Sequence, residues 1–149
     1  GLIVVDGEPF VIEYNVRMGD PESESVFSRI DSDLLDLFLR CRSHQLESAE
    51  MKINPNYCTT IILASGGYPE DFEKSKKLLI PSIDDPNVTV FHCGTKVENN
   101  TLVSNGGRVL AISAMGQSKE IALQRCRHLA TEIQYEGKYY RRDIGFDVN

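Results

Sequence analysis

A chain of 149 residues, 41% apolar and 26% charged, carries enough hydrophobic side chain for one sizeable core or two small ones, which excludes disorder as its main state. Sixteen Lys and Arg against 22 Asp and Glu leave a net charge of −6. That balance argues against a general phosphate-backbone partner and offers no basic face for an acidic membrane, so neither nucleic acid nor membrane is expected as a partner.

The chain opens on two apolar runs, Leu2 to Val5 and Phe10 to Val16, separated by Asp6-Gly7, the dipeptide that best supplies the positive φ angles of a tight hairpin. Pro9, which cannot donate to a ladder, marks the start of the second strand or an edge position. Asp20-Pro21-Glu22 has the form of a helix start and predicts a helix from Pro21 to about Ile30. Asp31-Ser32-Asp33 then restarts a helix whose Leu34, Leu35, Phe38, Leu39 and Arg42 follow one 3.6-residue face and which fades between Ser43 and Glu50. Turn residues at Asn54-Pro55-Asn56 place a boundary near residue 52. Beyond it strands alternate with turns: Tyr57 to Ala64, Gly66-Gly67, Val88 to Cys93, Asn99-Asn100, Asn105-Gly106-Gly107, and Arg108 to Met115. Ser118 can cap a last helix whose core stripe is Ala122, Cys126, Leu129, Ala130 and Ile133, and the tail from Tyr139 returns to extended or irregular chain.

Cys41, Cys58, Cys93 and Cys126 form no CxxC pair and have no His at ligand spacing, so neither a zinc site nor a disulfide framework is expected; they read as buried, reduced thiols. No apolar run approaches the ~18 residues of a membrane span and no charged-then-apolar leader opens the chain, which points to the cytoplasm. Gly1 to Val5 already look like the interior of a strand without an initiator Met, so the chain is expected to be a fragment of a longer one.

The chemistry concentrates in Phe10 to Glu22. Strand alternation puts Glu13, Asn15 and Arg17 on one face and Ile12, Tyr14 and Val16 on the other, which is expected to be core. A carboxylate and an amide oxygen are hard donors suited to Mg²⁺, which takes one or two protein ligands and completes its shell with phosphate oxygens and water. Arg17 beside them could grip a phosphate or carboxylate. The plainer account is a solvated sheet face with a Glu–Arg pair, and spacing alone leaves both open.

Val11-Ile-Glu-Tyr-Asn-Val-Arg-Met-Gly-Asp-Pro-Glu22 resembles the signature of the phosphoribosylamine–glycine ligases, an ATP-grasp family of purine biosynthesis. The resemblance continues through Gly66-Gly67-Tyr68-Pro69, Phe91 to Lys96, Asn105 to Val109 and Arg142-Asp143-Ile144-Gly145. It implies that ATP phosphorylates the glycine carboxylate and that 5-phosphoribosylamine attacks the acyl phosphate, giving glycinamide ribonucleotide. By the same resemblance Glu13 and Asn15 fall on ligands of Mg²⁺ or Mn²⁺, and Arg17 on a catalytic arginine beside the transferred group. Asp20 is either a substrate-binding residue or the cap of the helix that follows it, and Glu22 a first-turn acid. Tyr14 and Met18 depart from the family's usual Phe and Leu or Phe, both as apolar replacements.

The expected architecture is α+β: residues 1–51 as the end of an ATP-grasp domain, then residues 52–149 as a small β-rich C-terminal domain with one long helix. The family's N-terminal domain, adenine pocket and lysine-bearing phosphate loop would precede this segment, so the chain is expected to be inactive alone, with glycine, 5-phosphoribosylamine and ATP as ligands of the full enzyme. The alternative is an autonomous, non-catalytic binding module derived from such a ligase. Turn geometry accounts for both glycine pairs, Lys96 and Arg108 are either anion contacts or solvated strand ends, and His92 is a satisfied strand histidine.

Overall fold

The computed structural model describes residues 1–19 and 21–146. Strands β1 (Leu2–Val5) and β2 (Glu8–Val11) pair antiparallel through a turn in which Asp6 and Gly7 take φ of 51° and 84°, as their dipeptide predicts. Beyond the pair of Leu2 with Val11, the Gly1 carbonyl accepts from the Ile12 amide at 2.9 Å and the Gly1 ammonium donates to the Glu13 carbonyl at 2.7 Å. The strand expected to run to Val16 ends at Val11. The face expected to be core is also open: Ile12, Tyr14 and Val16 are 65%, 84% and 97% exposed, because nothing within the described residues packs on them.

Helix α1 (Glu22–Ser28) starts one residue later than its signature predicts and stops short of Ile30, which bridges Ile53 while the Asp31 amide bonds to the Lys52 carbonyl at 2.9 Å. Asp20, the expected cap or substrate ligand, lies outside the described residues. Helix α2 (Leu34–Arg42) is capped as expected, with the Asp33 carboxylate accepting from the amides of Leu35 and Asp36 at 2.8 and 3.2 Å. Its apolar residues Leu35, Phe38 and Leu39 are exposed rather than core, and a short 3₁₀ turn, Leu46–Ser48, follows it.

The remaining strands are β3 (Tyr57–Ser65), β4 (Val88–His92), β5 (Thr95–Glu98), β6 (Thr101–Ser104), β7 (Arg108–Gly116) and β8 (Lys138–Tyr139), with α3 (Lys119–Glu132) between the last two. A four-stranded antiparallel sheet runs in the order β4-β7-β3-β8, and β5–β6 form a separate hairpin turning at Asn99-Asn100. Central β7 is mostly apolar because it is covered on both faces, and Val109 to Ala114 are almost completely buried. Ile61 pairs with Ile112 and Leu63 with Leu110, and these pack against the α3 stripe Ala122, Cys126, Leu129, Ala130 and Ile133, the stripe read from sequence. The opposite face receives α1 through three hydroxyls in series, Ser25 to Thr60 and Thr60 to Ser113, each 2.6 Å apart. Ser118 caps α3 by accepting from the Ile121 amide at 3.3 Å. The architecture is thus mixed α and β, a sheet with a few helices.

None of the four thiols is in a disulfide, yet only Cys126 is buried; Cys58 is half-buried, and Cys41 and Cys93 are exposed rather than buried as expected, because Cys41 lies on a helix with an open face and Cys93 in the loop after β4. Burial, then the neighbouring Cys58, pushes the Cys126 thiol up to about 12. In native protein at pH 8, alkylation should therefore be fast at Cys41 and Cys93 and slowest at Cys126, while denaturation without reductant should expose all four; mass mapping of the adducts checks both. No helix among the described residues is long and apolar enough to cross a membrane.

Candidate functional site

Past Val11 the chain leaves the ladder and bends at Val16 and Arg17. Glu13, Asn15 and Arg17 form one hydrogen-bonded row. The Asn15 amide nitrogen donates to Glu13 Oε1 at 3.2 Å, and Arg17 Nη1 donates to Asn15 Oδ1 at 3.1 Å and to the Met18 carbonyl at 2.7 Å. The row is exposed. Glu22 is a neighbour by another route: its Oε2 accepts from the Gly19 amide at 2.7 Å, closing the turn before α1.

The donor set suits a hard divalent cation. Two oxygens bound cis at 2.0–2.1 Å on an octahedral Mg²⁺ lie about 2.9 Å apart, close to the 3.2 Å between Glu13 Oε1 and the Asn15 amide nitrogen. Turning the Asn15 amide by 180° exchanges its oxygen and nitrogen, sets two oxygens at that spacing, and ends the acceptor role toward Arg17. Among the described residues no cluster of three or more His, Cys, Asp or Glu side chains could hold a metal by itself.

The glycine motifs make turns. Gly67 has φ of +96° and a Cβ there would collide with the Asp71 carbonyl oxygen; a Cβ on Gly107 would overlap the Tyr68 ring. Lys96 pairs with Glu98 at 3.1 Å, and His92 Nδ1 is 2.9 Å from Thr95 Oγ1. The Arg108 guanidinium lies over the Tyr68 ring, 5.8 Å from its centroid. Arg108 and Tyr68 line a cleft with Pro21, Tyr139, Tyr140 and Arg141. No local spacing announces this grouping, since its walls come from four separated segments. The one signal is that four of the quoted motifs, through residues 21, 68, 108 and 144, meet there.

The profile described as Phosphoribosylglycinamide synthetase, C domain, matches residues 58–147. A phosphoribosylamine–glycine ligase of Vibrio parahaemolyticus is 41% identical over 146 residues, covering 97% of this chain and 34% of that protein. The Chlorobaculum tepidum ligase is 40% identical over 147 residues, with coverages of 97% and 35%. A bifunctional purine biosynthetic protein of Pichia angusta is 39% identical over 144 residues, 96% of this chain and 18% of that one. The crystal structure of the phosphoribosylamine–glycine ligase of Thermotoga maritima superposes with a TM-score of 0.75 at 34% identity, over 96% of this chain and 35% of that chain. The chain thus spans about a third of the length of the ligases it matches. With the match running from β3 through α3 into the tail, the chain belongs to the phosphoribosylglycinamide synthetase family, and its residues 58–147 are that family's C domain.

Proposed function

We propose that this chain carries the metal-holding corner and the C-terminal domain of a phosphoribosylamine–glycine ligase. In this reading residues 1–51 end an ATP-grasp domain and residues 52–149 form the domain that closes against it. The observation that carries the reading is the row Glu13–Asn15–Arg17: the Asn15 amide bridges the Glu13 carboxylate and the Arg17 guanidinium, and turning that amide would set two oxygens at metal spacing and release Arg17. Further support comes from the open apolar surface on Leu2, Val4, Ile12, Tyr14 and Val16 and on the α2 face, which an ATP-binding region would cover.

The reaction moves the γ-phosphoryl group of ATP onto a glycine carboxylate oxygen, giving glycyl phosphate and ADP. The amine nitrogen of 5-phosphoribosylamine then attacks the glycyl carbonyl carbon, forming the amide and expelling phosphate with the carboxylate oxygen it received. Glu13 and Asn15 hold Mg²⁺ or Mn²⁺, which when bound neutralises charge on the ATP phosphates. Arg17, released by the turned Asn15 amide, stabilises the charge on the transferred phosphoryl group and on the acyl phosphate. Asp20, three residues further along the sequence, is a substrate-binding candidate.

The complete gene product, given glycine, 5-phosphoribosylamine and Mg-ATP, should yield glycinamide ribonucleotide, ADP and phosphate. The 149 residues alone should yield none, because aligning three reactants requires walls beyond those present here. ATP hydrolysis without ligation by the complete protein would overturn the ligase reading, and product from the isolated 149 residues would overturn the dependence on a further region.

A further inference from the structure

Among the described residues of α1 none is buried, and Val26 and Phe27 are exposed, so apolar burial is not what seats this helix on the sheet. Its polar side does so. Ser25 Oγ lies 2.6 Å from Thr60 Oγ1 on β3, and Thr60 Oγ1 lies 2.6 Å from Ser113 Oγ, on the residue opposite Thr60 in β7. Ser113 is 2% exposed. Thr60 can donate to one hydroxyl and accept from the other, so both bonds are satisfied in one directed chain. Two residues earlier on the same face of β3, the Cys58 thiol hydrogen-bonds Ser25 and Ser28. Just past α1, Arg29 donates from Nε and Nη2 to the Asn54 carbonyl at 3.2 and 3.0 Å, and the Asn54 amide donates back to the Arg29 carbonyl at 2.7 Å.

The other end of α1 is tied to the Glu13–Arg17 row. Glu22 and Gly19 bond each other twice: the Glu22 amide donates to the Gly19 carbonyl at 3.0 Å, and the Gly19 amide donates to Glu22 Oε2 at 2.7 Å. Arg17 holds the carbonyl of Met18, just before that turn, at 2.7 Å. Ser25 follows Glu22 by three residues, about 4.5 Å along the helix axis. A short hydrogen-bonded path thus runs from the row to the two central strands of the C-domain sheet. Hydrogen bonds between hydroxyls are directional but contribute little net stability, so a helix seated by them is fixed in position more than it is strengthened.

We infer that Ser25 and Thr60 are positioning residues, whose hydroxyls fix α1, and with it the Glu13–Arg17 row, against the C-domain sheet. The inference rests on the ligase reading, in which an acyl phosphate formed at that row must lie in line with the attacking amine. Both residues act through α1 rather than on the reacting atoms. A loosened α1 leaves the residues that hold Mg-ATP unchanged but spoils the alignment, so the loss falls on kcat and spares KM for Mg-ATP.

Hydrogen exchange of the 149-residue chain reads the seat of α1 without any ligase chemistry. In Ser25→Ala and in Thr60→Val the amides of residues 26–30 should exchange about fivefold faster or more, the effect of losing a hydrogen bond, while those of α3 and β7 keep their rates. Thr60→Ser, which retains the hydroxyl, should exchange as the unaltered chain does. In the complete gene product, assayed well below its melting temperature, the first two variants should lower kcat by about fivefold or more at unchanged KM for Mg-ATP, and Thr60→Ser should recover it. If Thr60→Val does not fold, Ser25→Ala, which leaves the Thr60–Ser113 bond in place, carries the test. Unchanged exchange in α1, faster exchange with undiminished kcat, or an equal loss in Thr60→Ser would overturn the positioning role. An unaltered gene product that does not ligate would overturn the ligase reading instead, and the exchange rates would still decide whether these hydroxyls seat α1.

Discussion

Glu13→Gln in the complete gene product should lower kcat by about 10²–10³ at saturating Mg²⁺, the loss of roughly 3–4 kcal/mol that follows removal of one preorganised electrostatic partner of a transition state. The substitution keeps the length of the side chain and one carbonyl oxygen, so shape and coordination number survive while the negative charge that anchors the cation is gone. Folding should hardly register the change. Glu13 is exposed, and among the described residues its carboxylate accepts one hydrogen bond, from Asn15 at 3.2 Å, so stability should move by no more than about 0.5 kcal/mol. If Glu13 were only a solvated residue in a polar row, turnover would stay at the wild-type level. The pair of numbers, kcat beside the melting temperature, therefore separates the two accounts, and wild-type turnover would retire Asn15 as well, because both are argued from one row.

Ile112→Ala should show the opposite profile. Ile112 is fully buried at the centre of β7, with Ile61 and Val90 opposite it on the two neighbouring strands and the Cys126 thiol on its carbonyl at 3.3 Å. Truncation removes three methyl or methylene carbons from a site walled by strands on two sides and α3 above, which cannot collapse to fill the space. A cost of ~3–4 kcal/mol is expected, which for a chain of this size lowers the melting temperature by roughly 10 °C. Thermal unfolding of the 149-residue chain measures it. A drop of less than ~1 kcal/mol would mean that β7 is not the centre of the core.

These two residues also mark where the sequence was informative. β7 and α3 were legible because burial leaves its pattern in the chain itself: a nine-residue, mostly apolar strand, a serine cap, then a stripe at helical spacing. The Asp6-Gly7 turn was legible for a local reason, the positive φ both residues adopt. The end of β2 was not, because Ile12 to Val16 alternate as a strand does and only the pairing of Leu2 with Val11 reveals that the ladder has run out. Alternation likewise misjudged the exposure of Ile12, Tyr14 and Val16: it says that a face is apolar, not what covers it. The row of Glu13, Asn15 and Arg17 persists beyond the strand, up to the bend at Val16 and Arg17, through the hydrogen bonds that link its three side chains. The Arg108–Arg141 cleft could not be read at all from spacing, since its walls are brought together by the β3–β7–β8 register.

Transfer of an oxygen isotope tests the central claim most directly. In the proposed chemistry one carboxylate oxygen of glycine becomes the bridging atom of the acyl phosphate and departs with the phosphate when the amine attacks. Glycine labelled with ¹⁸O in both carboxylate positions, turned over by the complete gene product with 5-phosphoribosylamine and Mg-ATP, should deliver one ¹⁸O into each phosphate released and leave one in the glycinamide ribonucleotide. Phosphate free of label would mean that ATP does not activate the glycine carboxylate, and the assignment of the Glu13–Asn15–Arg17 corner to that step would fall.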